Sequence, residues 1–222
     1  MKLFVSNSDE DIKDSGGGGF INQSGIYDVQ LNYVQLAETK NKAYQLNFNV
    51  TNNGMAQTIY GPILVGKDGK INDITKRLLN RLCVIAGMAD KQEIETETVE
   101  IPVGKDQKLM EMEIIPELSD IPVKIRVQME YSLWENNIQE RRNVKTFFRE
   151  DGASAEEAKT STNIGTQLAK DTEKYATHVT YKDGLTEEDV QTWLKERFAK
   201  GSADSAKTAT PKATSKRPLF GK

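Results

Sequence analysis

The sequence predicts a mostly β protein: one domain of five to six strands with a single helix between the third and the fourth. Three observations predict it. Apolar and polar residues alternate with period 2 over long stretches between Gly25 and Phe148. Turn-forming runs such as Thr51-Asn52-Asn53-Gly54 separate those stretches. The pattern changes to helical period once inside that region, from Asn72 to Ala86. The chain has 222 residues, enough for one domain with tails or two small domains. Its 37% apolar content lies below the roughly 45–50% of globular proteins, so part of the chain is expected to stay outside a packed core.

Residues 1–23 read as a flexible Gly-rich segment. Gly16-Gly17-Gly18-Gly19 follows the acidic Asp9-Glu10-Asp11, and four glycines have the most backbone entropy to lose on ordering. The other reading is a close approach of the run to a backbone or a ligand.

Residues 24–150 form the predicted domain. Tyr27, Val29, Leu31 and Tyr33 alternate with Asp28, Gln30 and Asn32. After Tyr33 the phase slips, because Val34 and Leu36 are apolar, and such a slip reads as a bulge that bends the strand. Tyr44, Leu46, Phe48 and Val50 alternate with Gln45, Asn47 and Asn49, the cleanest strand of the chain. Gln57 to Val65 is the third strand, interrupted at Gly61-Pro62, and Lys67-Asp68-Gly69-Lys70 is a turn. In the helix Ile74, Leu78, Leu82 and Ile85 share a face; Asn72 or Asp73 caps its start and Gly87 suits its end. Val99–Val103, Leu109–Ile115 and the long alternation from Val123 to Leu133 follow, with a turn at Asn136-Asn137 and a basic closing strand from Arg141 to Arg149.

Residues 151–198 read as a linker that ends in a short amphipathic helix, 186–198. There Thr186 and Asp189 make a capping pattern, and Val190, Trp193, Leu194 and Phe198 share a face. Residues 199–222 read as a basic disordered tail. Six Lys and Arg against Asp204 give it a net +5, which leaves −8 of the overall −3 on the rest of the chain.

Composition narrows the function classes. With Cys83 the one cysteine and His178 the one histidine, no intramolecular disulfide forms and a zinc or Cys–His enzyme is not expected. The carboxylates Glu95, Glu97, Glu100, Glu111 and Glu113 read as ordinary strand exteriors rather than a magnesium nuclease site. No P-loop pattern occurs. The longest apolar or glycine run, Leu82 to Ala89, falls short of the roughly 18 residues of a membrane helix. The first residues have no apolar h-region. A soluble, cytoplasmic, non-enzymatic protein without cofactor or metal is expected, with no membrane partner.

Three strands, a helix and further strands, with a curved first strand, follow the plan of an OB-fold-like barrel. Particular residues sharpen the likeness. Gly25-Ile26-Tyr27-Asp28-Val29-Gln30-Leu31 opens the first strand, and Glu38-Thr39-Lys40-Asn41-Lys42-Ala43-Tyr44-Gln45-Leu46-Asn47-Phe48 leads into the second. Tyr60, Gly66-Lys67-Asp68-Gly69 and Leu82-Cys83-Val84-Ile85-Ala86-Gly87 follow. Over roughly Gly16 to Phe148 this order resembles bacteriophage single-stranded DNA-binding proteins of the OB-fold type. The resemblance implies a protein of the infected host cell that binds single-stranded DNA without strong sequence preference and protects it during phage DNA replication or recombination. One feature departs from the pattern. The chain ends in basic Lys216-Arg217-Pro218-Leu219-Phe220-Gly221-Lys222 rather than in an acidic tail, so the arm would touch phosphates or present Leu219-Phe220 to a replication or recombination protein.

Such binding needs cations for the phosphates and aromatic faces for the bases. The candidate nucleic-acid-binding residues are Lys40, Lys42, Tyr60, Lys67, Lys124, Arg126, Trp134, Arg141, Arg142 and Lys145. The cluster around Trp134 is the favoured place. Tyr60 reads equally as stacking or packing, Trp134 equally as base contact or barrel-end cap, and the Arg141–Lys145 group equally as a solvated face. Tyr27, Tyr33, Tyr44 and Phe48 read as core. The alternative function is a β-rich phage virion or assembly protein that uses its C-terminal helix and basic arm for protein contacts. Oligomeric state is left open.

Overall fold

The computed structural model describes residues 19–207, apart from residues 91 and 105. The protein is mostly β, built on an antiparallel sheet. The strands are β1 Gly25–Glu38, β2 Tyr44–Asn52, β3 Met55–Val65, β4 Glu97–Val103, β5 Lys108–Ile115, β6 Ile121–Trp134, β7 Asn137–Arg149 and the two-residue β8 Thr180–Tyr181. Helix α1, Asp73–Ile85, lies between β3 and β4 as expected; α2 Ala155–Thr160, α3 Thr166–Tyr175 and α4 Glu187–Lys207 follow β7. The described residues divide into two compact units, 19–130 with 141–180, and 131–140 with 181–207.

In the first unit the sheet order is β3-β2-β1-β5-β4, and β6 pairs with the first half of β1. The sheet is not closed: among the described strands β3 pairs with β2 alone and β7 with β6 alone. One long strand serves two wings. Gln30–Glu38 of β1 pairs with β2, while Gly25–Leu31 pairs with β6. A bulge between Leu31 and Tyr33 makes this possible. Val29 and Leu31 before it, and Val34 after it, all reach the core.

The bulge sits one residue earlier than the sequence reading placed it, and this corrects the reading of Tyr33. Asn32 is the extra residue, so Tyr33 aligns with Asn49 on the polar face instead of entering the core. A one-residue slip moves a side chain to the other face of a sheet.

Most of the core is where the alternation put it, but Ile74, expected on the apolar face of α1, is 78% exposed, and Tyr44, expected in the core, is only half-buried. Leu46, Phe48, Val50 and Ile59 are fully buried against Leu78, Leu79, Leu82 and Ile85 of α1. Phe48 meets Phe147 of β7 edge to face at 5.3 Å between ring centroids. Asn72 caps α1: its side chain accepts from the Ile74 and Thr75 N–H groups. At the interruption of β3, a Cβ on Gly61 would stand 2.3 Å from the Leu46 carbonyl oxygen, so only glycine fits between the strands there.

Two expectations are revised at the edges of this unit. Composition predicts a flexible segment to residue 23, yet Gly19 and Ile21 are buried. The Gly19 carbonyl accepts from Asn52 Nδ2 at 2.9 Å and Gln57 Nε2 at 2.8 Å, and Ile21 N–H donates to Gln57 Oε1 at 3.0 Å. For Gly19 the close-approach reading therefore holds; Gly16-Gly17-Gly18 and the acidic run lie outside the described residues. Composition predicts a linker without a packed core after β7. Instead α2 starts with a capping box, Ser154 with Glu157, and its Ala155 and Ala158 pack on the core. Glu157 also accepts from Gln167 N–H of α3 at 2.8 Å, so one buried carboxylate ties two helices together.

The second unit is a small cluster on the β6–β7 turn region. Tyr131 stacks on Tyr181 and meets Trp193 edge to face. Val190 is buried, and Arg197 Nη1 lies 3.1 Å from Glu140 Oε2. Thr186 and Asp189 cap α4 reciprocally. The helix runs to Lys207, nine residues past the expected end at 198. The rest of the basic tail, with Leu219-Phe220, lies outside the described residues. No helix among the described residues is long and apolar enough to cross a membrane.

Candidate nucleic-acid interface

The face of β1–β2–β3 that points away from α1 carries the best-formed candidate site. Strand register puts its side chains in two cross-strand rows. Gln35, Asn47 and Tyr60 form one; Tyr33, Asn49 and Thr58 form the other. The same alternation that drives Leu46, Phe48 and Val50 into the core turns Gln45, Asn47 and Asn49 outward. The face holds amides, hydroxyls and two tyrosines, and no charged side chain in either row.

These groups are largely held in place. Asn32 Nδ2 donates to Asn49 Oδ1 at 2.7 Å and to Thr51 Oγ1 at 3.0 Å, and Asn49 Nδ2 donates to Thr58 Oγ1 at 3.1 Å. Asn47 Nδ2 donates to Gln35 Oε1 at 3.2 Å. Its Oδ1, on a side chain only 5% exposed, has no partner. An unpaired buried acceptor costs about 1–3 kcal/mol, a cost that this face carries in the unliganded fold. Tyr60 stands directly opposite Asn47 and is 66% exposed, with its ring free to take a stacked partner. Tyr33 is half-buried, its hydroxyl 3.9 Å from Met112 Sδ, and burial pushes its phenol above the usual range.

The expected basic residues scatter around this face. Lys40 and Lys42 lie in the turn after β1 and Lys67 in the turn after β3. The pairings Glu38 with Tyr44 and Tyr44 with Val65 bring both turns to one end of the sheet. All three are exposed, and Lys42 Nζ lies 2.9 Å from Glu38 Oε1. Lys124 and Arg126 belong to the β1–β6 wing and are engaged there. Lys124 pairs with Asp28 across the strands. Arg126 is covered by α3, paired with Asp171 and stacked 4.5 Å above Tyr175. Arg142 donates to Gln57 Oε1 at 3.3 Å and lies 4.8 Å from the centre of the Phe20 ring. Arg141 is exposed, and Lys145 lines a cavity beside α1. Trp134 is 67% exposed and belongs to the second unit, whereas Arg141, Arg142 and Lys145 belong to the first.

Sequence reasoning missed Tyr33, Gln35, Asn47, Asn49 and Thr58. Their signal was present in the polar half of each alternation, where β2 carries short uncharged amides instead of the lysines and glutamates of an ordinary solvated face. No group of three or more potential metal ligands occurs among the described residues. Cys83 is half-buried on α1, and burial pushes its thiol up to about 11, so it is protonated at neutral pH. Neither a protein-family model nor a curated protein matches the chain.

Proposed function

We propose that this protein binds single-stranded DNA without strong sequence preference, on an OB-fold-like framework, through the outward face of β1–β2–β3. One observation carries the reading: an exposed aromatic, Tyr60, on a strand face whose two cross-strand rows hold amides, hydroxyls and no charge. Tyrosine supplies a stacking surface that accepts any base, for about 1–3 kcal/mol per base. Stacking depends on the flat face that every base has, so the contact does not select sequence strongly. Lys40, Lys42 and Lys67 at one end of the face supply the phosphate contacts. Their small number and the acidic body call for moderate, salt-sensitive affinity. Lys124 and Arg126 take no part in this reading, because both stand on the β1–β6 wing rather than on this face, and Arg126 is covered there by α3. Protection of phage DNA during replication or recombination is the role the sequence resemblance adds to this binding.

The experiment is fluorescence anisotropy with a labelled dT strand of about 30 nucleotides, longer than the ~16-nucleotide upper range of one OB-fold site, against the matching duplex at two salt concentrations. Single-strand binding that weakens with salt and spares duplex supports the reading. Absence of binding at low salt overturns it.

A further inference from the structure

A second site stands apart from the β1–β2–β3 face. A cavity of about 310 Å³ lies where α1 meets β3 and β7. That volume is within the range of small-ligand and side-chain pockets. Buried Leu78 and Val144 and exposed Pro62 and Ile74 give it apolar lining. Arg77, Arg81 and Lys145 also line it. Arg77 and Arg81 are four residues apart on α1, hence on one face of the helix. None of the three cations has an ion-pair partner among the described residues. A second observation points to a ligand. Thr75, only 1% exposed, also lines the cavity, and its buried Oγ1 has no hydrogen-bond partner.

We propose that this cavity is a docking site for an acidic peptide segment of a partner protein, anchored by one apolar side chain. Three unpaired cations around an aliphatic pocket complement a carboxylate-rich segment with a single large apolar residue. The Thr75 hydroxyl meets a carbonyl or carboxylate oxygen of that segment. A nucleic-acid strand fits less well, because the lining offers no aromatic ring on which a base could stack. The chain's own basic C-terminal arm is excluded by charge.

The test uses the full chain and a labelled ten-residue peptide of Asp and Glu with one central Leu, beside the same peptide with Gly for Leu. The Leu peptide is expected to bind at least tenfold tighter than the Gly peptide. Arg77→Glu with Arg81→Glu, both at exposed positions, is expected to weaken it at least tenfold, and Lys145→Glu alone severalfold. Thr75→Val is expected to weaken it severalfold without lowering the melting temperature, which a merely structural role would not do. A stoichiometric dT strand is expected to leave the peptide bound. Equal affinity for the two peptides, no binding at low salt, indifference to charge reversal, or displacement by dT overturns the proposal. Displacement by dT would assign the cavity to nucleic acid.

Discussion

Arg126 and Asp171 form a buried ion pair, Nη1 to Oδ2 at 3.0 Å, that fastens α3 onto the β1–β6 wing. The Tyr175 ring lies 4.5 Å from the guanidinium carbon. The contact is electrostatic more than directional, since Arg126 Nε and Nη1 have no hydrogen-bond partner. Removing one partner of such a pair leaves the other charged and buried, at a cost of about 3–5 kcal/mol. Arg126→Ala is therefore expected to lower the melting temperature by several degrees. Replacing the pair together, Arg126→Met with Asp171→Leu, is expected to recover most of that loss. A double variant as unstable as Arg126→Ala would contradict the role of the pair. Loss of DNA binding in Arg126→Ala would report unfolding rather than a lost phosphate contact, so that variant is a stability probe.

Glu157 gives the pH dependence a sign. Burial pushes its carboxyl up, but the N–H groups of Ser154 and Gln167 outweigh it and hold the net value below the usual glutamate range. A folded-state value below the unfolded one stabilises at pH above about 4.3, and the contribution disappears as pH falls through the folded value. Glu157→Gln is expected to be less stable than wild type at neutral pH and to converge with it in acid. Thermal melts at neutral pH and below pH 4 check this; a constant difference across that window would show that ionisation of Glu157 is irrelevant.

Gly19 tests whether the chain before β1 belongs to the fold. A Cβ there would fall 1.9 Å from the Asn52 carbonyl oxygen, a backbone atom that has little freedom to yield. Gly19→Ala is expected to destabilise by about 1–3 kcal/mol, the usual cost of overpacking. An unchanged melting temperature would show that this segment does not pack against the β2–β3 turn.

Much of this architecture was legible because alternation and helical period are local signals. Phe48, Leu46 and Val50 were bound to share a face, and Asn72 and Gly87 to bracket α1. What escaped was decided by residues far apart in sequence. The exact bulge position needs Asn49 and Val50 as cross-strand partners, and without them Tyr33 looked like core. That Lys124 and Arg126 are engaged depends on Asp28, 96 residues before Lys124, and on Asp171, in a stretch whose composition suggested linker. The close approach at Gly19 depends on Asn52 and Gln57. Of the expected site, Tyr60 could be named from the sequence but not assigned between stacking and packing, and the amide row beside it reads as plain polar alternation until the register is known.

The central claim is that Tyr60 and the amide row bind single-stranded DNA, and the most direct measurement is the affinity of Tyr60→Ala for a labelled dT strand. Tyr60 is exposed, so the variant is expected to fold and melt like wild type. Trp134→Ala, at a similarly exposed ring in the second unit, is the control. The account predicts that Tyr60→Ala weakens binding by roughly ten- to a hundredfold, the equivalent of one lost stacking contact of about 1–3 kcal/mol, and that Trp134→Ala leaves it nearly unchanged. Unaltered affinity in Tyr60→Ala, with the loss appearing instead in Trp134→Ala, would contradict it.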